Sequence, residues 1–164
     1  MSFLLRCIGL SLIAAAAILI GRGYTYYTEK RIAEDEAFLN LFRHIRREVA
    51  AHLSTLSELV RSFEDDVLEG IGLLDLLRDG VGAEDAFSAV EKRLSIGADS
   101  RRVIGEYFAD FGKTYRSGVL ADTDRRIGEL SEISEREREE LRKNASTLKL
   151  LLAASALGII ILFI

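Results

Sequence analysis

Residues Leu150–Ile164 read LLLAASALGIIILFI, a run with no charged side chain and a single hydroxyl, Ser155. A helix from Leu148 to Ile164 would rise about 25 Å at ~1.5 Å per residue. That is slightly short of the ~30 Å hydrocarbon core of a bilayer. Lys149 reaching back to the headgroups closes the difference. A second apolar run, Ile8–Ile20, lies near the other end. From Phe3 to Gly21 a helix would rise about 28 Å, again close to a membrane span. As soluble helices these segments have no polar face, so they would need a large surrounding core. The expectation is therefore an all-α chain in three parts. Residues 1–21 form an N-terminal transmembrane anchor, 22–147 a cytoplasmic helical domain, and 148–164 a C-terminal transmembrane helix. An alternative for residues 1–21 is a cleaved leader on an exported helical protein. Gly21-Arg22-Gly23-Tyr24 offers no clean small-x-small cleavage site, which favours the anchor.

Charge follows the same division. No Asp or Glu precedes Glu29 or follows Glu140, and residues 22–147 hold 26 acidic against 20 basic side chains. An acidic domain of this kind lacks the basic face that phosphate backbones require, so nucleic acid is not an expected partner. Cys7 is the single cysteine, which excludes an internal disulfide and a cysteine zinc site. It reads as a small apolar filler. Arg22, Lys30 and Arg31 follow the first apolar run, whereas Arg136, Arg138, Arg142, Lys143 and Lys149 precede or open the second. This bias places the middle domain in the cytoplasm and both ends outside it. Tyr24, Tyr26 and Tyr27 suit an aromatic belt at the lipid interface.

Between the runs there is no proline, no convincing two-residue alternation, and abundant helical periodicity. Phe38, Phe42, Ile45, Val49, Leu53, Leu56, Leu59, Val60 and Phe63 recur mostly at steps of three and four. They predict one long amphipathic helix over 33–63, continuous with the anchor. Gly70, Gly72, Gly80 and Gly82 bracket a short helix from Ile71 to Arg78, and a further helix is expected over Ala83–Leu94. The turn Ser95-Ile96-Gly97-Ala98-Asp99 supplies an N-cap for a helix ending near Gly112. A charged helix is expected from about Asp122 straight into the last apolar run. Its stretch Glu132–Glu140 is a solvated face with i,i+4 ion pairs. Leu120, Ile127, Leu130, Leu141 and Leu148 form a heptad-like stripe that Ser134 and Glu137 interrupt.

No phosphate-binding glycine loop and no nucleophile motif is present, so no catalytic residue and no cofactor are assigned. His44, Glu48 and His52 share a helix face, but the outer pair stands about 12 Å apart along the axis, too far to converge on one metal. Residues 48–110 carry 14 acidic and 6 basic side chains, which suits either solubility or docking of a basic partner. Glu64, Asp65, Asp66 and Glu69 are the densest run and the candidate docking site, at an exposed helix end or turn that should tolerate substitution. Ala17 with Gly21, and Ala154 with Gly158, have the small-x-x-x-small spacing of closely packed membrane helices.

Several short stretches, in order, carry a family resemblance: Glu48-Val49 followed by Ser54-Thr55-Leu56, then Glu84-Asp85-Ala86-Phe87, then Phe111-Gly112-Lys113-Thr114 with Gly118 and Asp122 or Asp124, then Arg142-Lys143-Asn144 before the last apolar run. Together with the two end anchors, they resemble the stage III sporulation protein AB family, membrane components of endospore-forming bacteria. Thr55 stands where that family has proline, and its Tyr-x-x-Leu-Gly lead-in to the last helix is missing. The resemblance implies a place in the secretion-like channel joining mother cell and forespore. It further implies the outer forespore membrane, a distant likeness to the helical platform protein of type II secretion, and contacts with other channel subunits. A cytoplasmic secretion-type ATPase is the implied partner. A membrane-tethered cytoplasmic adaptor or sensor unrelated to sporulation is the alternative.

Overall fold

In a computed structural model, backbone is described for residues 2–51, 55–111, 113 and 116–163. Side chains are described at 15, 18 and 19, over most of 21–144, and at 146 and 147. The side chains of Cys7, Ala17, Ala154 and Gly158 lie outside this set, as do His52, Leu53, Ser54, Gly112 and Thr114 altogether. The described residues contain helices and no strand, as expected of an all-α chain.

The order is α1 (Ser2–Ala51), α2 (Leu56–Val60), α3 (Asp66–Gly70), α4 (Leu73–Arg78), α5 (Ala83–Val90), a 3-10 turn (Glu91–Arg93), α6 (Ala98–Asp110) and α7 (Arg116–Phe163). They divide into two compact units. One comprises residues 1–29 and 137–164, the other 30–136.

Within the larger unit, α1 departs from the amphipathic expectation. Ala37, Phe38, Leu39, Leu41, Phe42 and Ile45 are all buried, so the helix is covered on several sides rather than along one stripe. The core is aromatic at its centre. Phe38 meets Phe42, Phe87 and Phe108 edge-on at centroid distances of 6.5, 6.2 and 6.3 Å, and Phe42 lies 4.1 Å from Tyr107. Such pairs add about 0.5–1.5 kcal/mol each beyond the area they bury. From α6, Val103, Ile104, Tyr107 and Phe108 turn inward, and from α7 Leu130 and Ile133 do so.

The expected single helix over 33–63 is interrupted. Helix α1 stops at Ala51, and Thr55 starts a new helix through a capping box. Its hydroxyl accepts from Glu58 N–H while the Glu58 carboxylate accepts from Thr55 N–H at 3.0 Å. Thr55 has φ −70°, a value proline would accept, but the second of these bonds needs an N–H that proline lacks. Leu56, Leu59, Val60 and Phe63 still pack on the core, from a separate element.

Two glycines stop short helices. At the end of α4, Gly80 (φ +82°) and Val81 return N–H bonds to Leu77 and Leu76 carbonyls at 3.2 and 3.0 Å, a left-handed closure that suits glycine. Gly72, also at φ +82°, separates α3 from α4, so the helix expected from Ile71 begins at Leu73. Helix α5 ends at Val90 rather than Leu94, with the 3-10 turn following. Helix α6 takes Gly97 as its N-cap with no side-chain bond, and ends at Asp110. Within the same turn, Ser95 gives its N–H to the buried carboxylate of Glu34. Helix α7 begins at Arg116, a turn and a half before Asp122.

In the smaller unit, Tyr24 and Asn144 are joined by a hydrogen bond, and Thr25 and Thr28 hydroxyls donate to the carbonyls of Gly21 and Tyr24 at 2.9 Å. Gly21 is buried. Among the described residues, no helix is long and apolar enough to cross a membrane. Most side chains of both apolar runs lie outside that set.

Candidate functional site

The acidic run singled out in the sequence turns out to be partly committed to the fold. Asp65 is the N-cap of α3, accepting from Val67 and Leu68 N–H at 3.0 Å each. Glu69 takes an ion pair from Arg78 at 2.9 Å, and the same guanidinium donates to the Phe63 carbonyl at 2.6 Å. Only Glu64 and Asp66 project as carboxylates without these duties. The expectation that all four tolerate substitution is therefore corrected: losing an N-cap costs about 0.5–2 kcal/mol. Beyond the run, Asp79, Glu84 and Asp85 are exposed around the turn between α4 and α5.

Glu64 and Asp65 form one wall of an open groove of about 600 Å³. Phe63 adjoins them, and Asn40, Arg43, Arg46 and Arg47 of α1 form the other wall. Arg46 reaches across to α7 and pairs with both carboxylate oxygens of Asp124, its Nη2 at 3.1 Å from Oδ2. His44, on the same helix, is buried. Its Nε2 lies 2.7 Å from the Leu59 carbonyl and its ring packs on Phe63 at 5.1 Å. That packing occupies the imidazole, and among the described residues no group of three His, Cys, Asp or Glu is placed to hold a metal.

A second polar cluster joins α6 to α7 around Arg126, which is only 4% exposed. Its guanidinium bonds Glu106 and lies 3.6 Å from Asp122, 3.6 Å from Glu129 and 3.9 Å from Asp110. The Arg126 bond, helped by Arg102, holds the Glu106 carboxyl below its ordinary range. Beside it, Tyr107 Oη and Thr123 Oγ1 are hydrogen-bonded at 3.2 Å inside the core, and burial pushes the phenol up. Two further buried carboxylates sit on α1. Glu34 receives Ser95 and Ile96 N–H groups, and Asp35 accepts from the Ser100 hydroxyl at 3.0 Å. These residues were invisible to sequence reasoning because their partners are about 61 to 65 positions away.

These polar clusters clamp helices together: α1 to α7 through Arg46 and Asp124, α6 to α7 through Arg126 and Glu106, and α1 to α6 through Asp35 and Ser100. The family model described as stage III sporulation protein AB matches residues 6–164. No curated protein and no solved structure matches the chain.

Proposed function

The chain belongs to the stage III sporulation protein AB family, and we propose from that premise that it is a membrane-anchored structural platform of the mother cell–forespore channel. Membership makes it a sporulation protein and sets aside an adaptor unrelated to sporulation. In the proposed reading, residues 3–21 and 148–164 sit in the outer forespore membrane and the helical unit between them faces the mother-cell cytoplasm. Other channel subunits assemble beside it, and a secretion-type ATPase docks from the cytoplasm. No reaction is assigned.

The membrane reading is supported most by one observation. Leu19 is 71% exposed and Ile18 44%, and Tyr26 and Tyr27 are 72% and 53% exposed just beyond them. Apolar side chains turned outward, followed within about two turns by tyrosines, make the pattern of a helix leaving lipid through the headgroups. Family resemblance and the net negative charge of residues 48–110 support the ATPase. Because Asp65 and Glu69 are tied into the fold, the docking surface is better sought at Asp79, Glu84 and Asp85.

Tagged full-length chain, extracted in mild detergent from sporulating cells, should recover a secretion-type ATPase. The triple variant Asp79→Lys, Glu84→Lys, Asp85→Lys should stay helical and lose it. Equal recovery by the variant at several salt concentrations would move the docking surface elsewhere. No recovery by the unmodified chain would reject the partnership.

A further inference from the structure

The groove between α1 and the segment leading into α3 has walls of opposite charge that do not satisfy each other. Two of its charged groups are occupied, Arg46 by Asp124 and Asp65 by the α3 cap. The others are not. Arg43 makes one long bond, 3.5 Å, to Asn40 of its own helix. Arg47 and Glu64 have no ion pair or side-chain hydrogen bond among the described residues. Arg43 and Arg47 stand one helical turn apart and so share a face. Two guanidiniums therefore lie along one wall, and Glu64, with Asp66 just beyond it, along the other.

We infer that this groove is a self-association surface, and that it receives the same groove of a second copy of the chain. A two-fold contact places residue i opposite j and j opposite i. Setting Arg47 of one copy against Glu64 of another therefore sets the reciprocal pair as well, and a mixed-charge patch becomes complementary to itself. A foreign partner would have to carry acidic and basic groups in the same alternation, whereas a second copy carries them by construction. Phe63 is 8% exposed and adds little apolar area, so the contact is polar. Exposed pairs of this kind are weak and screened by salt. Association is accordingly reversible and falls as ionic strength rises.

The test uses full-length chains carrying two different tags, co-purified in mild detergent. Unmodified chains should co-purify, less so at high salt. Arg47→Glu and Glu64→Arg reverse exposed charges, and each should lower like-with-like recovery by at least about tenfold, since like charges then face each other twice. Mixing the two variants restores both pairs. The acidic group introduced at position 47 of one chain meets the basic group introduced at position 64 of the other, and the retained Glu64 and Arg47 meet in the reciprocal contact. Mixed recovery should therefore return to that of the unmodified chain. Circular dichroism checks that helicity is retained. If Arg47→Glu loses it, Glu64→Arg alone gives the readout: recovery with itself should be lost and recovery with the unmodified chain intermediate, because one of the two reciprocal contacts is then still paired. Undiminished like-with-like recovery would overturn the inference, as would failure of the mixed pair to recover or absence of co-purification by unmodified chains.

Discussion

Asn144 Nδ2 donates to Tyr24 Oη at 2.9 Å, joining the two long helices of the smaller unit across 120 positions of sequence. Both residues are exposed, so water competes for each group, and the bond is worth about 0.5 kcal/mol, the low end for a neutral pair. Its larger effect is on register, because a side-chain bond between helices is met at one axial alignment only. Tyr24→Phe and Asn144→Ala should each lower thermal stability in detergent slightly, and the double variant should lose no more than either single. Additive losses in this double-mutant cycle would show that the two side chains do not act as a pair.

Removing Arg126 should be far more damaging than removing its neighbour Arg125. Arg126 is buried among Glu106, Asp110, Asp122 and Glu129, so Arg126→Ala removes the one buried cation these four carboxylates share and leaves Glu106 and Asp122 only the exposed Arg102 and Arg125. Those carboxylates are partly hydrated, which reduces the loss to about 2–3 kcal/mol, below the full figure for breaking a buried pair. Arg125 is 59% exposed and pairs with Asp122 at the surface, where water screens the pair, so Arg125→Ala should leave stability nearly unchanged. Chemical denaturation of the two variants side by side measures the difference.

Much of this arrangement was legible in the sequence. The positions Phe38, Phe42, Ile45, Val49, Leu59, Val60 and Phe63 are all core, because apolar steps of three and four mark a buried helix face whichever helix supplies it. What periodicity could not show was the break at Thr55. The Thr55–Glu58 capping box is a sequence signal, but it sits inside an apolar pattern that runs on undisturbed. Asp65 shows the converse. In sequence it belongs to an acidic patch, whereas in the fold it is a cap, since an acceptor beside free N–H groups serves the backbone first. The buried Arg126 and Glu34 were hidden because charge alone reads as surface, and only tertiary contacts reveal partners so distant in sequence.

The pH dependence of stability should have two limbs. Arg126 holds the folded-state pKa of Glu106 below its unfolded value. Its contribution is therefore present above the ordinary carboxylate range and is lost as pH falls through the depressed value. Glu106→Gln should remove that part of the acid limb. Tyr107 is shifted the other way by burial. Its contribution is full below about pH 10, the unfolded phenol value, and is lost as pH climbs above it. Tyr107→Phe should flatten the alkaline limb, and an ultraviolet titration should lose a phenol that ionises above the ordinary range. An alkaline limb unchanged by Tyr107→Phe would show that another group sets it.

Alanine should have opposite effects at two glycines. A Cβ meets nothing within 4 Å at either Gly80 or Gly128, so sterics do not distinguish them. Gly80 has φ +82°, where an L side chain is strained, and Gly80→Ala should cost about 1 kcal/mol. Gly128 lies within α7, where alanine is the better helix former, and Gly128→Ala should stabilise by up to about 1 kcal/mol. Melting temperatures that move in the same direction would contradict the backbone assignment at Gly80.

Membrane orientation gives the last expectation. Arg22, Lys30 and Arg31 follow the first apolar run and Arg136, Arg138, Arg142, Lys143 and Lys149 cluster at the second, while only Arg6 lies on the other side. Arg142 and Lys143 are exposed, as positive charges held at a cytoplasmic lipid surface would be. Several of these cations are paired within the chain, among them Lys30 with Glu34 at 3.7 Å, Arg136 with Asp99 at 2.9 Å and Lys143 with Glu139 at 3.7 Å. Orientation is set by the Lys and Arg count near the spans rather than by net charge, so these pairs leave the bias intact. A reporter active only outside the cytoplasm should be silent when fused after Gly80 and active when fused after Ile164. Moving basic residues to the far side, for example Arg22→Ser with Leu4→Arg and Ser2→Arg, should weaken that contrast. The reverse pattern in the unmodified chain would place the helical domain outside the cytoplasm and separate it from any cytoplasmic ATPase.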